Sequence, residues 1–217
     1  MTHTKENYLK AIYHLDQNQE KISLSELGKK MEVSMPTVNS MVKSLQEKDW
    51  VIYQKYQPLQ LTTKGKQKAA LIIRKHRLTE MFLAQYMGFG WEEVHEIAEE
   101  IEHLQVDKFF DRMDELLGYP AVDPHGSPIP DKEGVVVAKS YVPLSEIEVG
   151  VQVRICSLVK SSKELLLYLN RKEIALGTEL KIEKKEPFDK SILVRYQRPD
   201  KVMLSHEVAQ LLLVELC

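Results

Sequence analysis

One change in the spacing of apolar residues constrains the fold of this chain more than any other sequence feature. Up to Leu117 the apolar residues recur mostly at the three- and four-residue intervals of amphipathic helices. After Tyr141 they alternate with polar residues, as they do in half-buried strands. Between Gly118 and Pro130 lie four of the nine prolines, which exclude a long helix there. The sequence therefore predicts a mainly α chain that ends in a small β part.

Three short helices are predicted near the N-terminus. Apolar residues at helical spacing over 4–17 indicate the first helix. Ser23 and Glu26 form a capping box that opens the second. Ser34 is expected to cap the third, which carries Pro36 in its first turn, where a missing N–H costs nothing.

Two short β-type runs follow, at 50–53 and 59–61, and indicate a hairpin joined across residues 55–58. Three helices and a hairpin, with about four residues between the second and third helices, make a winged helix-turn-helix. Short polar side chains on the third helix suit a major groove. The expected DNA-contacting residues are Ser34, Pro36, Thr37, Asn39, Ser40, Lys43 and, in the hairpin, Lys55. The alternative is a trihelical unit that only packs or contacts protein.

Charge is unevenly distributed along the chain. Residues 1–75 carry 13 Lys/Arg and 7 Asp/Glu, a balance of +6, whereas the remainder carries 17 and 25, a balance of −8. A basic N-terminal third joined to an acidic remainder favours a nucleic-acid contact surface at one end.

Two clusters of histidine and carboxylate residues mark the middle of the chain. The first pairs His76 with Glu80, four residues apart and so on one helical face. The second comprises His95, Glu99, Glu102 and His103, which span an arc of about 100° on a helix. Imidazole nitrogens and carboxylate oxygens that converge from two helices can bind a first-row divalent metal. The alternative is a solvated acidic helix with chance histidines.

The composition indicates a soluble, cytoplasmic protein. Hydrophobic residues make up 43% of the chain and charged residues 29%, which is enough for a core and a solvated surface. No apolar run approaches the ~20 residues of a membrane span, and the N-terminus lacks the apolar stretch of a signal peptide. Cys156 and Cys217 are too few for a disulfide framework. A metal site is therefore expected to use nitrogen and oxygen ligands.

The remaining elements follow from the same patterns. Helices are predicted over about 62–87, 91–102 and 106–117, with short helical turns near 165–169 and 205–210. Strands that indicate a small barrel are predicted over 149–155, 179–182, 192–195 and 212–216.

These residues resemble the diphtheria-toxin-repressor family of metal-dependent bacterial regulators, which includes the manganese regulators. The resemblance covers essentially the whole chain and rests on Tyr8–Tyr13, Pro36–Val38, Leu61–Gly65, Arg74–Glu80, Ile101–His103, His125–Pro130, Leu176–Leu180 and Leu204–Ala209. It implies a homodimer with three domains per subunit. These are a winged helix-turn-helix over 1–72, a helical metal-binding and dimerisation domain with a Pro-rich connector over 73–140, and an SH3-like, FeoA-like domain over 141–217.

The resemblance also implies two metal sites. One would use His76, Glu80 and His95, for which Glu164 is the nearest candidate ligand from the SH3-like domain. The other would use Glu99, Glu102 and His103 with Asn7, where iron regulators carry Met and manganese regulators Asp. Lys10 stands where manganese regulators have a second carboxylate, which argues against their closely spaced two-metal cluster.

The expected function is a transcriptional repressor that is not an enzyme and has no membrane partner. It would bind a pseudo-palindromic operator in double-stranded DNA when loaded with metal. Mn²⁺ is favoured over Fe²⁺, since no Cys or Met is among the proposed ligands. Two alternatives remain open: a metal-dependent hydrolase with an open coordination position, and a metal-independent winged-helix regulator whose acidic helix is a dimer surface.

Overall fold

The computed structural model describes residues 2–17, 21–55, 57–137, 139–196 and 201–217, so Tyr56 of the predicted hairpin loop lies outside the described residues. The chain divides into two units, each assembled from separate stretches of sequence. The first unit comprises Met1–Thr79, Ala98–Glu115 and Ile129–Val137. The second unit comprises Glu80–Ile97, Leu116–Pro128 and Ala138–Cys217.

The first unit begins with the predicted three helices and hairpin. The helices are α1 (His3–Gln17), α2 (Leu24–Lys30) and α3 (Met35–Gln46). Two short strands follow, β1 (Val51–Ile52) and β2 (Gln60–Leu61), and they pair antiparallel. Apolar side chains from all of these elements form one core, in which the most completely buried are Leu9, Ile12, Leu27, Val38, Val42 and Leu45.

Local capping explains where α2 begins, and it corrects one prediction for α3. The Ser23 hydroxyl accepts a hydrogen bond from the Glu26 backbone N–H at 3.1 Å, and the Glu26 carboxylate accepts one from the Ser23 N–H at 2.9 Å. The predicted capping box is therefore confirmed. Ser34 occupies the N-cap position of α3, but its side chain makes no capping bond. The predicted cap position is therefore confirmed but the side-chain capping bond is not, because the Ser34 hydroxyl lies 2.9 Å from the Thr37 hydroxyl instead.

Three further helices form the middle of the chain: α4 (Thr63–Met87), α5 (Val94–Ile101) and α6 (Asp107–Leu116). α4 is one helix of 25 residues that carries both His76 and Glu80. α5 is shorter than predicted at both ends. Before it, the Gly90 N–H donates to the Glu93 carboxylate at 2.8 Å in a turn. After it, a three-residue hydrogen bond from Leu104 N to Ile101 O closes the helix at 3.0 Å.

The second unit contains an antiparallel sheet of six strands in the described residues. The strands are β3 (Val142–Pro143), β4 (Gln152–Leu158), β5 (Glu179–Lys185), β6 (Ile192–Arg195), β7 (Lys201–Leu204) and β8 (Leu212–Leu216), and they lie in the order β3-β8-β4-β5-β6-β7. The predicted four strands are present. β3, with two residues, and β7, with four, were not predicted.

Two helices cover this sheet, α7 (Lys163–Arg171) and α8 (His206–Leu211). The Ser162 hydroxyl accepts from the Leu165 N–H and the Ser205 hydroxyl from the Val208 N–H, so both helices begin at a serine cap. Inward-facing strand residues and α7 leucines form a second core whose fully buried members include Val153, Leu169, Leu180, Ile182, Val194 and Leu212. Among the described residues, no helix combines the length and apolar content that crossing a bilayer needs.

Candidate metal centre and nucleic-acid interface

Three buried side chains of the second unit converge around one point. Glu80 comes from α4, whereas Asp123 and His125 come from the connection that follows α6. Their exposed fractions are 2%, 4% and 3%, which excludes bulk water from the group. One ligand atom of each lies within 4.8 Å of those of the other two. We call these three residues the Glu80 cluster.

A tight turn holds Asp123 and His125 next to each other. Asp123 Oδ1 accepts hydrogen bonds from the backbone N–H groups of His125 at 2.8 Å and Ser127 at 3.0 Å. The Gly126 N–H donates to the Asp123 carbonyl at 3.0 Å and closes the turn. The turn thus uses one carboxylate oxygen of Asp123 and fixes the direction of the other.

The hydrogen bonds of His125 determine which of its nitrogens can bind a metal. Nε2 lies 2.8 Å from the backbone carbonyl oxygen of Trp91. Because a carbonyl can only accept, Nε2 carries a proton and donates it. Nδ1 lies on the other side of the ring, 3.8 Å from Glu80 Oε2. Metal-binding histidines commonly donate their second N–H to a backbone carbonyl in this way.

The pKa of His125 reflects the charge of this site. Burial alone would lower it, but the hydrogen bond to Glu80 and the charges of Glu80 and Asp123 outweigh burial and raise the pKa of His125 above its usual value. A raised pKa favours the protonated ring over the neutral one. A divalent cation at Nδ1 would compete with that proton, so metal binding is expected to weaken as pH falls.

The donor set of the Glu80 cluster fits a hard divalent ion. Two carboxylates and one imidazole supply only oxygen and nitrogen atoms, which suit Mn²⁺ and its first-row neighbours. Burying two carboxylates next to each other is costly unless a cation offsets their charge. When bound, a divalent ion would supply the positive charge that Glu80 and Asp123 require.

The structure brings one predicted ligand of this site, His95, to Glu80. His95 Nδ1 lies 3.3 Å from Glu80 Oε1, and its side chain is 58% exposed. His76 belongs to the first unit, where its Nδ1 is 2.7 Å from Glu102 Oε2. Glu164 lies exposed in the first turn of α7 and is not among the converging ligand atoms in the described part of the chain.

A second group of ionised side chains lies in the first unit around Lys10 of α1. Lys10 Nζ donates to both carboxylate oxygens of Glu102, at 2.8 and 2.9 Å, and to Oε1 of Glu99. The Lys10 side chain is 13% exposed and that of Glu102 is fully buried. We call Lys10, Glu99 and Glu102 the lysine–carboxylate cluster.

The other predicted ligands of this region already have protein partners, apart from Asn7. His103 Nδ1 lies 2.5 Å from Glu6 Oε2, and its Nε2 lies 3.8 Å from Glu102 Oε1. Gln105 donates to the second oxygen of Glu6 at 2.9 Å. Asn7 Oδ1 is buried and accepts no hydrogen bond from the described residues. Glu102 and His103 therefore lie close together, and the Glu102 carboxylate also accepts hydrogen bonds from the Lys10 ammonium.

The lysine–carboxylate cluster already contains a cation, and as folded it does not fit a metal. An ammonium group carries a full positive charge and three donors, and here it is bonded to three carboxylate oxygens. A divalent ion would need the same oxygens. Two cations at hydrogen-bond distance from the same carboxylates repel each other strongly.

The polar side of α3 is available for nucleic acid. Its buried face consists of Val38, Val42 and Leu45, which leaves the opposite face towards solvent. Most of the predicted DNA-contacting residues are exposed: Ser34, Pro36, Thr37, Ser40, Lys43 and, between β1 and β2, Lys55. Asn39 is half-buried and donates to the Met35 carbonyl at 3.0 Å, so part of its hydrogen-bonding capacity is used within the helix.

Sequence reasoning missed Asp123 and His125 as candidate ligands. The segment was used only as a proline-rich connector and as part of the family resemblance. Two features of the sequence could have identified it: an acid and a histidine two residues apart, and a glycine directly after them that permits a tight turn. Neither feature indicates that Glu80 lies opposite, because that contact joins distant parts of the chain.

The chain matches three protein-family models in succession. Residues 1–59 match the N-terminal DNA binding domain of iron dependent repressors, and residues 62–131 match their metal binding and dimerisation domain. Residues 142–216 match the FeoA domain. The predicted winged helix-turn-helix, helical domain and SH3-like fold are therefore confirmed in their order along the chain.

Curated relatives share about a third of the aligned residues. The iron-dependent repressor IdeR of Mycobacterium leprae is 35% identical over 127 residues, which is 58% of this chain and 55% of the relative. The diphtheria toxin repressor of Corynebacterium diphtheriae is 32% identical over 142 residues, 64% of this chain and 63% of the relative. The alignment thus spans less than two thirds of the length of either relative.

Solved structures are similar over nearly the full length. A manganese-dependent transcriptional repressor in complex with manganese has a TM-score of 0.87 and 30% identity, covering 98% of this chain and 100% of that one. The manganese regulator SloR has a TM-score of 0.77 and 33% identity, covering 100% of both chains. ScaR with bound Cd²⁺ has a TM-score of 0.82 and 33% identity, covering 98% and 99%. By sequence motifs, domain order and full-length structure, the chain belongs to the diphtheria-toxin-repressor family of metal-dependent transcriptional regulators.

Proposed function

We propose that this protein is a metal-dependent transcriptional repressor, and not an enzyme, that binds operator DNA when a divalent ion occupies the Glu80 cluster. The observation that carries the proposal is the convergence of Glu80, Asp123 and His125, all buried, in a chain that also carries a winged helix. The names of the relatives support it, since they are described as iron-dependent or manganese-dependent repressors. Such a repressor works in the cytoplasm, where its operator is.

We assign a separate role to each of the three predicted domains. Residues 1–72 would read DNA, residues 73–140 would bind metal and form the homodimer, and residues 141–217 would form the SH3-like domain. The match of residues 62–131 to a metal binding and dimerisation domain supports the second assignment. A two-fold dimer would read a pseudo-palindrome with half-sites about one helical turn, or a multiple of it, apart.

We propose Mn²⁺ as the physiological ion and keep Fe²⁺ as the alternative. A site of carboxylates and imidazole has no sulfur ligand to favour a softer metal, and Mn²⁺ accepts such oxygen-rich sites. The relatives include both iron-dependent and manganese-dependent repressors, and ScaR has been crystallised with Cd²⁺ and Zn²⁺. An anaerobic titration with each metal, read out as DNA binding, separates the two. Response to Fe²⁺ alone would reverse the preference.

The function is tested by selecting DNA with the metal-loaded protein and then removing the metal. A random duplex pool should yield a pseudo-palindromic sequence, and a chelator should abolish the gel shift on that sequence. Binding that survives the chelator would favour the metal-independent winged-helix regulator. Metal-dependent turnover of an ester or phosphoester without selected DNA would favour the hydrolase.

The role of the Glu80 cluster is tested by charge-removing variants of the same shape. Asp123→Asn keeps the Oδ1 acceptor that forms the turn but removes the negative charge, and Glu80→Gln removes the other. Loss of a residue that only supports a metal ligand typically lowers metal affinity by roughly 10- to 100-fold. Each variant here removes a ligand charge and should weaken Mn²⁺ binding at least as much, and metal-dependent DNA binding should fall with it. Glu100→Gln, an exposed glutamate in α5, is the matched control and should retain both. Unchanged Mn²⁺ affinity in Glu80→Gln and Asp123→Asn contradicts the proposal.

A further inference from the structure

We propose that the Lys10 ammonium takes the place of a metal ion in the lysine–carboxylate cluster and prevents one from binding there. Each subunit would then bind one divalent ion, where the family resemblance implies two. This inference rests on the proposed function, because it leaves the Glu80 cluster as the place where the regulatory ion binds. It concerns a different unit of the chain, and it can be tested separately.

The contacts of Lys10 are those of a bound cation. Its ammonium group donates to three oxygens of two carboxylates, Glu102 Oε1, Glu102 Oε2 and Glu99 Oε1. Glu102 has no exposed side-chain surface, so its charge requires a partner within the protein. The Lys10 ammonium is that partner, and as part of α1 it is always present next to Glu102. A group attached to the same chain acts at an effective concentration on the order of millimolar, whereas a metal ion must bind from solution.

Neighbouring histidines also engage the carboxylates of this region and make them less available to a metal ion. His76 Nδ1 lies 2.7 Å from Glu102 Oε2, so this oxygen is shared by an imidazole and the ammonium. His103 is held by Glu6, whose second oxygen accepts from Gln105. A divalent ion would have to displace Lys10 and draw Glu102 away from His76.

The Glu80 cluster consists of different groups. Its three members are two carboxylates and one imidazole, whose ligand atoms lie within 4.8 Å of one another. A metal ion can bind such a donor set directly. In the lysine–carboxylate cluster it would first have to displace an ammonium group that is bonded to three carboxylate oxygens.

The test counts Mn²⁺ ions per subunit without DNA, by equilibrium dialysis over a series of free Mn²⁺ concentrations and elemental analysis of the protein. The wild-type protein should reach one ion, and Glu80→Gln should need at least roughly 10- to 100-fold more free Mn²⁺ to bind it. Lys10→Gln should bind two, because it leaves Glu99 and Glu102 without their cation. Asn7 adds a buried amide oxygen three residues earlier on α1. These oxygens are a donor set that Mn²⁺ accepts.

Two control variants separate charge from general effects of substitution. Lys10→Arg keeps a positive charge in the cluster and should still bind one ion. Lys66→Gln removes a lysine from an ion pair of the same unit, in which Lys66 Nζ lies 2.8 Å from Asp16 Oδ2, and should also bind one ion.

Glu102→Gln in the otherwise wild-type chain keeps the test decisive if Lys10→Gln does not fold. The proposal expects this variant to keep its single ion, because Glu102 binds a lysine. Loss of an ion from Glu102→Gln overturns the proposal, as does a folded Lys10→Gln protein that gains none. Failure of the proposed function gives another pattern, in which wild type and Glu80→Gln bind equally while Lys10→Gln still gains one ion.

Discussion

At the scale of single residues, the candidate metal centre depends on a glycine that is not a ligand. Gly126 has a φ of +84°, a conformation that L side chains rarely adopt. A Cβ atom there would lie 2.2 Å from the Cys156 carbonyl oxygen and 2.6 Å from Ser157 Cα. Residue 126 therefore determines how closely the turn that carries His125 approaches β4, where the Leu158 N–H donates to the His125 carbonyl at 3.0 Å.

Gly126→Ala should destabilise the protein more than the same change at Gly150. At Gly126 the backbone strain of about 1–2 kcal/mol adds to an overpacking cost of about 1–3 kcal/mol. Gly150 has a φ of +93°, and a Cβ atom added there would meet nothing within 4 Å, so only the strain applies to Gly150→Ala. Chemical denaturation of both variants measures the difference. Equal losses of stability would show that the contact with β4 does not constrain the turn.

At the scale of elements, α3 combines a buried apolar face with a polar face that suits DNA. Its apolar residues Val38, Val42 and Leu45 have no exposed surface and hold the helix against the core of the first unit. Lys43 lies exposed near the end of the helix. A cation at this position can neutralise a backbone phosphate, which adds affinity without reading sequence.

Lys43→Ala should weaken DNA binding about equally for selected and unrelated sequences. Removing one phosphate contact lowers the slope of log affinity against log salt by about one. Lys160→Ala, at an exposed lysine in the second unit, is the matched control and should leave the slope unchanged. Gel-shift titrations at several salt concentrations measure both. A loss confined to the selected sequence would instead assign Lys43 to base recognition.

At the scale of the whole molecule, the proposed metal binding would be linked to folding, because the Glu80 cluster exists only in the folded chain. Glu80 lies 43 and 45 positions from Asp123 and His125 in the sequence, so an unfolded chain does not hold the three together. A ligand that binds the folded state alone stabilises it in proportion to the logarithm of its concentration. The metal is therefore expected to act on stability as well as on DNA affinity.

Mn²⁺ should raise the free energy of unfolding of the wild-type protein much more than that of Glu80→Gln. At about 100 times the dissociation constant, one site per subunit contributes about 2.7 kcal/mol. Thermal denaturation with Mn²⁺ or with chelator measures the effect, and Glu100→Gln is the control that should respond as wild type does. A rise of the same size in Glu80→Gln would place the stabilising ion elsewhere.

The elements of this fold could largely be predicted because their determinants are local. The Ser23–Glu26 capping box, the position of Pro36 and the spacing of apolar residues act within a few residues, and each can be read from adjacent letters. The short strands β3 and β7 escaped prediction, whereas β1, β2 and β6, which are equally short, were predicted. Two to four residues carry little pattern of their own, so the prediction of such strands is uneven. The limits of the three domains remain predictions.

The order of most helices and strands, the family, and the histidine and carboxylate residues on α4, on α5 and directly after α5 could be read from the amino-acid sequence. Which of these residues share a site could be learned only from the folded chain. It brings Asp123 and His125 to Glu80, and it brings Lys10 to Glu99 across 89 positions of sequence. This difference arises because burial and charge pairing depend on distance in space, whereas helical and strand patterns depend on distance along the chain.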